Sequence, residues 1–143
     1  MRIRALILVA LFAAATAVHA QSIQLVSDEE ARRPSAPEEP GKRAISRGPG
    51  VKLASPESVS AGAFQFKVTF EPRGGSKVDP ASVKVEYLKT PLVDITERVK
   101  PSVKPEGIDL SAVALPVGEH PFRVTVRDDE GRLGTATFNL KVK

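Results

Sequence analysis

Apolar and polar residues alternate along most of the chain from residue 51 onward. In the stretch AFQFKVTF, Phe64, Phe66, Val68 and Phe70 fall on one face, and mainly polar residues fall between them. This period of two predicts a half-buried β-strand, because successive side chains of a strand point to opposite sides. The pattern recurs in SVKVEYL (82–88), PFRVTVRD (121–128) and TATFNLKVK (135–143), and more weakly in GVKLAS (50–55), LVDITERV (92–99) and GIDLSAVAL (107–115).

Turn-forming residues separate these seven segments. The loop PRGGSK (72–77) holds a Gly-Gly pair, which can adopt positive φ at little cost. DPAS (79–82) places a proline after an aspartate, and DDEG (128–131) ends in a glycine, and both arrangements favour tight turns. No segment shows a sustained helical period. The sequence therefore predicts an all-β fold, a seven-stranded antiparallel β-sandwich over residues 51–143.

The same residues resemble a known class of domain. LPVGEHPFRVTVRDDEGRLGTATFNLKV (115–142) looks like the last two strands of bacterial immunoglobulin-like domains of the Big or cadherin-like type. SPESVSAGAFQFKVTF (55–70) and VDPASVKVEYL (78–88) resemble earlier strands of that class. The resemblance covers residues 51–143 and implies an immunoglobulin-like sandwich. Such domains serve as adhesion modules, spacers and accessory domains of surface enzymes, normally beside other domains.

The first twenty residues have the pattern of a secretion signal. A basic start is followed by an apolar run from Ala5 to Ala15 and by Val18-His19-Ala20, which suits a signal peptidase. The run is shorter than the roughly 20 residues that a membrane-spanning helix needs. We therefore expect cleavage between Ala20 and Gln21, export to a bacterial periplasm and no membrane span in the mature chain.

Residues 21–50 read as a linker, because five acidic residues, five basic residues and four prolines leave few apolar positions. Such a stretch buries too little surface to offset its ordering entropy, so we expect disorder. Ser27 precedes Glu30 in a capping-box pattern, which can support one helical turn. The linker is interpreted either as a spacer or as a partner-binding tail.

The composition narrows the possible chemistry. The net charge is +4, and removal of Arg2 and Arg4 leaves 19 basic and 17 acidic residues. A nucleic-acid-binding surface would show clustered lysine and arginine, so no nucleic-acid partner is expected. The absence of cysteine excludes disulfides, thiol nucleophiles and cysteine-ligated zinc. We expect no cofactor.

His120 is the one histidine of the predicted mature chain, and it lies just before an alternating segment. The resemblance places a Tyr or His at this entry to the penultimate strand, which implies a structural corner residue that bonds to nearby backbone. The alternatives are a metal ligand, a catalytic base or an ordinary exposed histidine. Asp128, Asp129 and Glu130 follow in a turn that we interpret as solvated, with calcium binding left open.

No catalytic constellation is evident in the sequence. There is no G-x-S-x-G elbow, and Gly74-Gly75 lacks the Lys and Ser/Thr context of a phosphate-binding loop. A glycosidase or carbohydrate-binding domain would favour exposed aromatic residues, but the chain has no Trp and its one Tyr, Tyr87, falls on the predicted inner face. We therefore expect a non-enzymatic module; the alternative is a carbohydrate-binding domain or a small hydrolase of the cell envelope.

Two loops are candidates for contact with an envelope protein whose identity the sequence does not give. The first is the 72–77 loop, and the second is the long connection over residues 89–107. Long connections in compact domains are often functional, although prolines and lysines can also serve to blunt an edge strand. The candidate contact residues are Arg73, Gly74, Gly75, Lys77, Val93, Asp94, Thr96 and Arg98.

The signal-peptide interpretation makes a prediction about processing. Intact-mass measurement of the exported protein is expected to give a chain that begins at Gln21, with or without cyclisation of that residue. A full-length mass in the periplasmic fraction would contradict cleavage after Ala20.

Overall fold

A computed structural model describes residues 21–37 and 47–143 of the protein. The predicted signal peptide (1–20) and residues 38–46 of the predicted linker lie outside this part. None of the helices in the described ranges is long and apolar enough to cross a membrane. The described residues form two β-sheets, so the all-β, two-sheet prediction is confirmed.

The strands of the described ranges form two sheets of five strands each. The first sheet contains β1 (Ile23–Gln24), β2 (Gly50–Leu53), β4 (Phe64–Glu71), β7 (Val103–Lys104) and β8 (Gly107–Ala114). The second contains β3 (Ser58–Val59), β5 (Val78–Tyr87), β6 (Val93–Asp94), β9 (Gly118–Asp128) and β10 (Leu133–Val142). Two short α-helices, α1 (Asp28–Arg32) and α2 (Thr96–Val99), and a 3₁₀ turn (Lys100–Ser102) complete the elements.

The order of strands follows from their hydrogen bonds. In the first sheet the order is β1-β8-β4-β2, and β7 pairs with β8. In the second the order is β3-β10-β9-β5-β6. The longer neighbours pair antiparallel, whereas the two-residue strands β1 and β3 pair parallel with β8 and β10. In the described ranges the chain changes sheets five times: before and after β3, between β4 and β5, between β6 and β7, and between β8 and β9.

The apolar faces of the two sheets meet in one core. Phe66 from the first sheet lies against Phe122 from the second, with ring centroids 6.1 Å apart. Phe122 in turn lies 5.1 Å from the ring of Tyr87. All three side chains are almost fully buried, as the alternation predicts. The period of two therefore identifies the inward faces of the long strands correctly.

The segment LVDITERV (92–99) differs from its predicted strand. Only Val93–Asp94 pairs with β5, and α2 follows at Thr96. The Thr96 hydroxyl accepts a hydrogen bond from the backbone N–H of Val85 at 3.0 Å, so a side chain takes the place of strand backbone. Ile95 and Val99, four residues apart, are both buried. The spacing of four between Ile95 and Val99 is helical, although the segment as a whole alternates weakly and was predicted to be a strand.

Residues 21–36 form a strap that packs onto the sandwich, which corrects the linker prediction for this part of the chain. Within the strap, β1 pairs with the outer edge of β8, and Leu25 and Val26 are both 0% exposed. Farther along, the N–H of Ala36 donates to the Leu88 carbonyl at 2.9 Å, just beyond the end of β5. The strap thus runs from one sheet to the other and covers the open side between them.

The capping box predicted inside this segment is confirmed. The Ser27 hydroxyl accepts from the Glu30 N–H at 3.1 Å, and the Glu30 carboxylate accepts from the Ser27 N–H at 2.8 Å. These bonds satisfy two backbone donors at the start of α1, where no helical partner exists. The cap fixes the position of the Glu30 carboxylate in the strap.

Arg98 of α2 holds the strap in place. Its guanidinium donates to both carboxylate oxygens of Glu30, at 2.9 and 2.8 Å, and to the Leu25 carbonyl at 2.6 Å. A bidentate arginine–carboxylate pair is stronger and more directional than a pair joined by one hydrogen bond. The hydrogen bond from Arg98 lowers the pKa of Glu30 to about 2.

The opposite side of the sandwich closes by direct backbone contact. Residues 48–49 pass against the start of β10 so closely that a Cβ atom at Gly134 would overlap the Pro49 carbonyl oxygen. A Cβ atom at Gly48 would likewise overlap the Leu133 carbonyl oxygen. Glycine is required at both positions because no side chain fits between the two backbones.

The strap should contribute measurably to stability. Leu25→Ala is expected to lower the free energy of unfolding by about 2–5 kcal/mol, because it leaves a cavity in a fully buried site. Ile23→Ala is the matched control: this residue is 41% exposed, and its loss should change stability by less than about 0.5 kcal/mol. Equal effects in equilibrium denaturation would contradict the packing of the strap.

Candidate functional site

His120 of β9 lies at one end of the core with both ring nitrogens in hydrogen bonds. Its Nε2 is 2.6 Å from the Pro116 carbonyl oxygen, four residues earlier, and its Nδ1 is 2.9 Å from the Tyr87 hydroxyl. The ring stacks on that of Tyr87 with centroids 5.9 Å apart, and the residue is 1% exposed. A histidine in this position has no free nitrogen for a metal or a substrate.

The partners of His120 determine its tautomer. A carbonyl oxygen only accepts, so Nε2 carries the proton, and in the neutral ring Nδ1 accepts from the Tyr87 hydroxyl. Burial lowers the pKa of His120, and the nearby positive charge of Lys89 lowers it further, against the opposing effect of the Pro116 bond. Burial also raises the pKa of Tyr87 to about 12. Both groups are therefore neutral near pH 7.

Lys89 is a buried cation that the sequence analysis did not single out. It is 6% exposed, and its Nζ lies 3.4 Å from the Ser35 hydroxyl of the strap and 5.5 Å from the centre of the Tyr87 ring. A hydroxyl and an aromatic face are weak partners for a desolvated ammonium. No local sequence pattern distinguishes this lysine, since its burial depends on the strap that covers it.

The acidic turn at the end of β9 is held by hydrogen bonds within the fold. Its first residue, Asp128, was predicted to be solvated, but the structure buries it. Asp128 is 3% exposed. Its carboxylate accepts from the backbone N–H of Arg132 at 2.8 Å, from the Arg132 guanidinium at 2.8 Å and from the Glu130 N–H at 3.0 Å. Burial raises the pKa of Asp128, but these bonds and the Ser76 hydroxyl outweigh that effect and lower it. Gly131, at φ 79°, permits the reversal.

The turn braces the first predicted contact loop (72–77). The Asp129 carboxylate accepts from the Lys77 N–H at 3.1 Å, and the Asp129 N–H donates to the Lys77 carbonyl at 2.9 Å. The Arg73 carbonyl accepts from the Arg132 guanidinium at 3.2 Å. Gly74 and Gly75 both have positive φ, 62° and 70°, which the Gly-Gly pair accommodates. The loop is thus held in one conformation at the end of the sandwich.

A shallow groove of about 410 Å³ lies beside this loop. Pro72 and Val78 line it from the loop side, and Phe70 lines it from β4. Pro105 and Glu106, at the end of the second predicted contact region, complete the lining. The structure therefore brings the 72–77 loop together with the last residues of the 89–107 connection. The full lining is Thr69, Phe70, Pro72, Ser76, Lys77, Val78, Pro105 and Glu106.

The remaining predicted contact residues lie elsewhere. Val93 and Asp94 pair with the last residues of β5, whereas the 72–77 loop leads into its first residue. Asp94 accepts from the Thr96 N–H at 2.9 Å, which helps to start α2. The Arg98 guanidinium binds the strap. These four residues, Val93, Asp94, Thr96 and Arg98, make internal contacts, and a role in partner binding stays a prediction.

Metal binding has no visible site in the described part of the chain. No group of three or more His, Asp or Glu residues lies close enough there to hold an ion. The candidate calcium site was the turn Asp128–Glu130, and its Asp128 carboxylate is already bound by Arg132 and by backbone N–H groups. Binding of calcium would have to displace these bonds.

Comparison with solved structures gave weak likenesses, which include a CopC and a superoxide reductase. No protein-family model and no curated protein matches the chain. The crystal structure of CopC from Methylosinus trichosporium OB3b has 19% sequence identity and a TM-score of 0.45, over 66% of this chain and 93% of that one. Superoxide reductase (neelaredoxin) from Ignicoccus hospitalis has 16% identity and a TM-score of 0.36, over 68% and 83%. Both TM-scores are below 0.5, so the fold class rests on the strands and sheets described above.

The bonds of His120 predict a structural role. His120→Ala is expected to lower the free energy of unfolding by about 1–3 kcal/mol, because it leaves the Tyr87 hydroxyl without its partner in the core. The stability of the unaltered protein should also fall as the pH drops below 6.5, the ordinary pKa of histidine. Below that value the unfolded chain takes up a proton that the buried ring binds less readily. Equilibrium denaturation across this pH range measures both effects.

A calorimetric titration provides the opposing test. Zinc, copper and calcium are expected to show no binding that depends on His120. Micromolar affinity that disappears in the His120→Ala variant, together with unchanged stability, would contradict the structural role.

Proposed function

We propose that the protein is a non-enzymatic, exported accessory module that binds a protein partner in the bacterial periplasm. Its contact surface is the loop end of the sandwich, made of the 72–77 loop and the adjacent groove. The observation that carries this proposal is the bracing of that loop by Asp128, Asp129 and Arg132. A braced loop loses little conformational entropy on binding, which favours recognition.

The state of the titratable groups supports a non-enzymatic role. A general base must reach its substrate with a free lone pair, and Tyr87 and Pro116 occupy both nitrogens of His120. Asp128 is tied to Arg132 in the same way. The one tyrosine of the chain is buried, so it offers no exposed platform for sugar stacking.

We infer further that the sandwich is of the immunoglobulin-like class. In the constant-type arrangement one sheet contains strands A, B, E and D and the other contains C, F and G. The pairings β8-β4-β2 and β10-β9-β5 match this order when β2 is taken as A, β4 as B, β5 as C, β8 as E, β9 as F and β10 as G, and β7, which pairs with β8, takes the place of D. The bond from His120 to the Pro116 carbonyl also resembles the corner of that class, where a residue near the start of strand F bonds to upstream backbone.

Export to the periplasm is part of the proposal. Its support is the basic, apolar and alanine-ended pattern of residues 1–20. The strap begins at residue 21, directly after the predicted cleavage site, so processing there would leave in place the strap contacts that the structure describes.

Site-specific photo-crosslinking in the exporting cell tests the proposed surface. A photoreactive residue at Lys77 is expected to give an adduct with one protein, whereas the same residue at Lys67, exposed on the outer face of β4, should give none. Pro105→Glu should abolish the Lys77 adduct, because it places a charge in the apolar part of the groove.

The control for that variant is Pro56→Glu, since Pro56 is an exposed proline away from the groove. This variant should retain the adduct. Equal labelling from Lys67 and Lys77 would contradict a specific surface. Binding on a glycan array that Pro105→Glu abolishes would instead favour the alternative, a carbohydrate-binding domain.

A further inference from the structure

The strap contacts the sandwich through residues far along the chain, as a separate bound peptide would. Its partners are all distant in sequence: β1 pairs with Val113 and Ala114, and Glu30 binds Arg98. Its end bonds to the backbone just after β5, where the Thr90 N–H donates to the Pro34 carbonyl. We call the surface beneath it the strap groove, formed by the outer edge of β8, by α2 and by residues 88–90. The groove recognises an extended apolar pair followed by a capped helical turn with a carboxylate.

The connection from the strap to the rest of the chain has a fixed maximum reach. Ala36 bonds to Leu88, and Leu88 bonds to Pro121 of β9, whereas Gly48 lies against Leu133, which pairs with Arg127 of β9. Pro121 and Arg127 are six positions apart, or about 20 Å at the usual rise of a strand. The twelve chain steps from Ala36 to Gly48 can span at most roughly 40 Å. The full-length connection therefore reaches its own groove with length to spare.

We propose that the strap groove accepts the strap of a second copy of this chain, so that two molecules exchange straps and form a symmetric dimer. In that dimer Glu30 of each copy binds Arg98 of the other, and Leu25 and Val26 fill the core of the other. The contacts are the ones seen within one chain, so exchange adds no new interface energy. A connection of this length gives the chain's own strap an effective concentration of about millimolar, so the monomer dominates below that level.

Shortening the connection reverses this preference. Deletion of Glu39–Ile45 leaves five chain steps between Ala36 and Gly48, which reach at most roughly 17 Å. That is less than the separation along β9 alone, so the strap can no longer lie in its own groove. The shortened mature protein is expected to have twice the monomer mass in light scattering. Replacement of the same seven residues by a Gly-Ser sequence of equal length should leave it monomeric.

Charge-reversing substitutions in the Glu30–Arg98 pair distinguish a dimer formed by strap exchange from a dimer formed in any other way. In the shortened chain, Glu30→Arg alone would pair two cations, and Arg98→Glu alone would pair two anions, so each homodimer is weakened. A mixture of the two variants forms a dimer in which both pairs are opposite in charge. The mixed dimer is therefore expected to be at least about tenfold tighter than either homodimer, since like charges across an interface are strongly unfavourable.

The mixing experiment decides the proposal even if one variant folds poorly alone, because the two are denatured, mixed and refolded together. Native mass spectrometry with one isotope-labelled partner then gives the ratio of mixed dimers to homodimers. An excess of mixed dimers over the statistical ratio supports exchange. A statistical ratio, or a shortened protein that folds as a monomer, would overturn it. Failure of this proposal would leave the loop-end surface untouched, because Lys77 and Pro105 take no part in the exchange.

Discussion

Closing the sides of the sandwich is the constraint on which the rest of the structure depends. Two stacked sheets bury their facing surfaces, but the strands at each side leave apolar side chains open to water. The strap seals one side, where Leu25 and Val26 are fully buried. Burial of two such side chains contributes about 3–6 kcal/mol, which is comparable with the net stability of a small domain. Arg98 holds this seal in place, whereas on the other side the backbone of residues 48–49 passes directly against β10 at Gly134.

The sequence predicts the long strands well and the strap poorly, for a physical reason. Over eight or ten residues an alternating pattern is strong enough to identify a buried face, as Phe66, Tyr87 and Phe122 show. Leu25 and Val26 are two adjacent apolar residues in a polar stretch, which defines no period. Their burial depends on the edge of β8, about 90 residues away, and no local pattern reports it. The capping box was predictable because its two partners are three residues apart.

The same distinction applies to the candidate site. The Gly-Gly turn and the acidic turn can each be identified locally, and both are turns in the structure. Their mutual bracing through Asp129 and Lys77 joins positions 52 residues apart, so it appears only after folding. The burial of Lys89 belongs to the same category, because it depends on Ser35 and the strap, 54 residues away. The position of a loop can thus be predicted from local sequence, whereas the contacts that brace it form only in the folded protein.

The position of Tyr87 has a consequence for how the protein can be observed. The chain contains one tyrosine and no tryptophan, so a single side chain accounts for nearly all of its near-ultraviolet absorption and emission. That side chain is buried between the sheets, bonded to His120 and close to the cation of Lys89, whose ammonium also contacts the strap. Its spectrum is therefore a native reporter, and it senses the core and the strap without any added label.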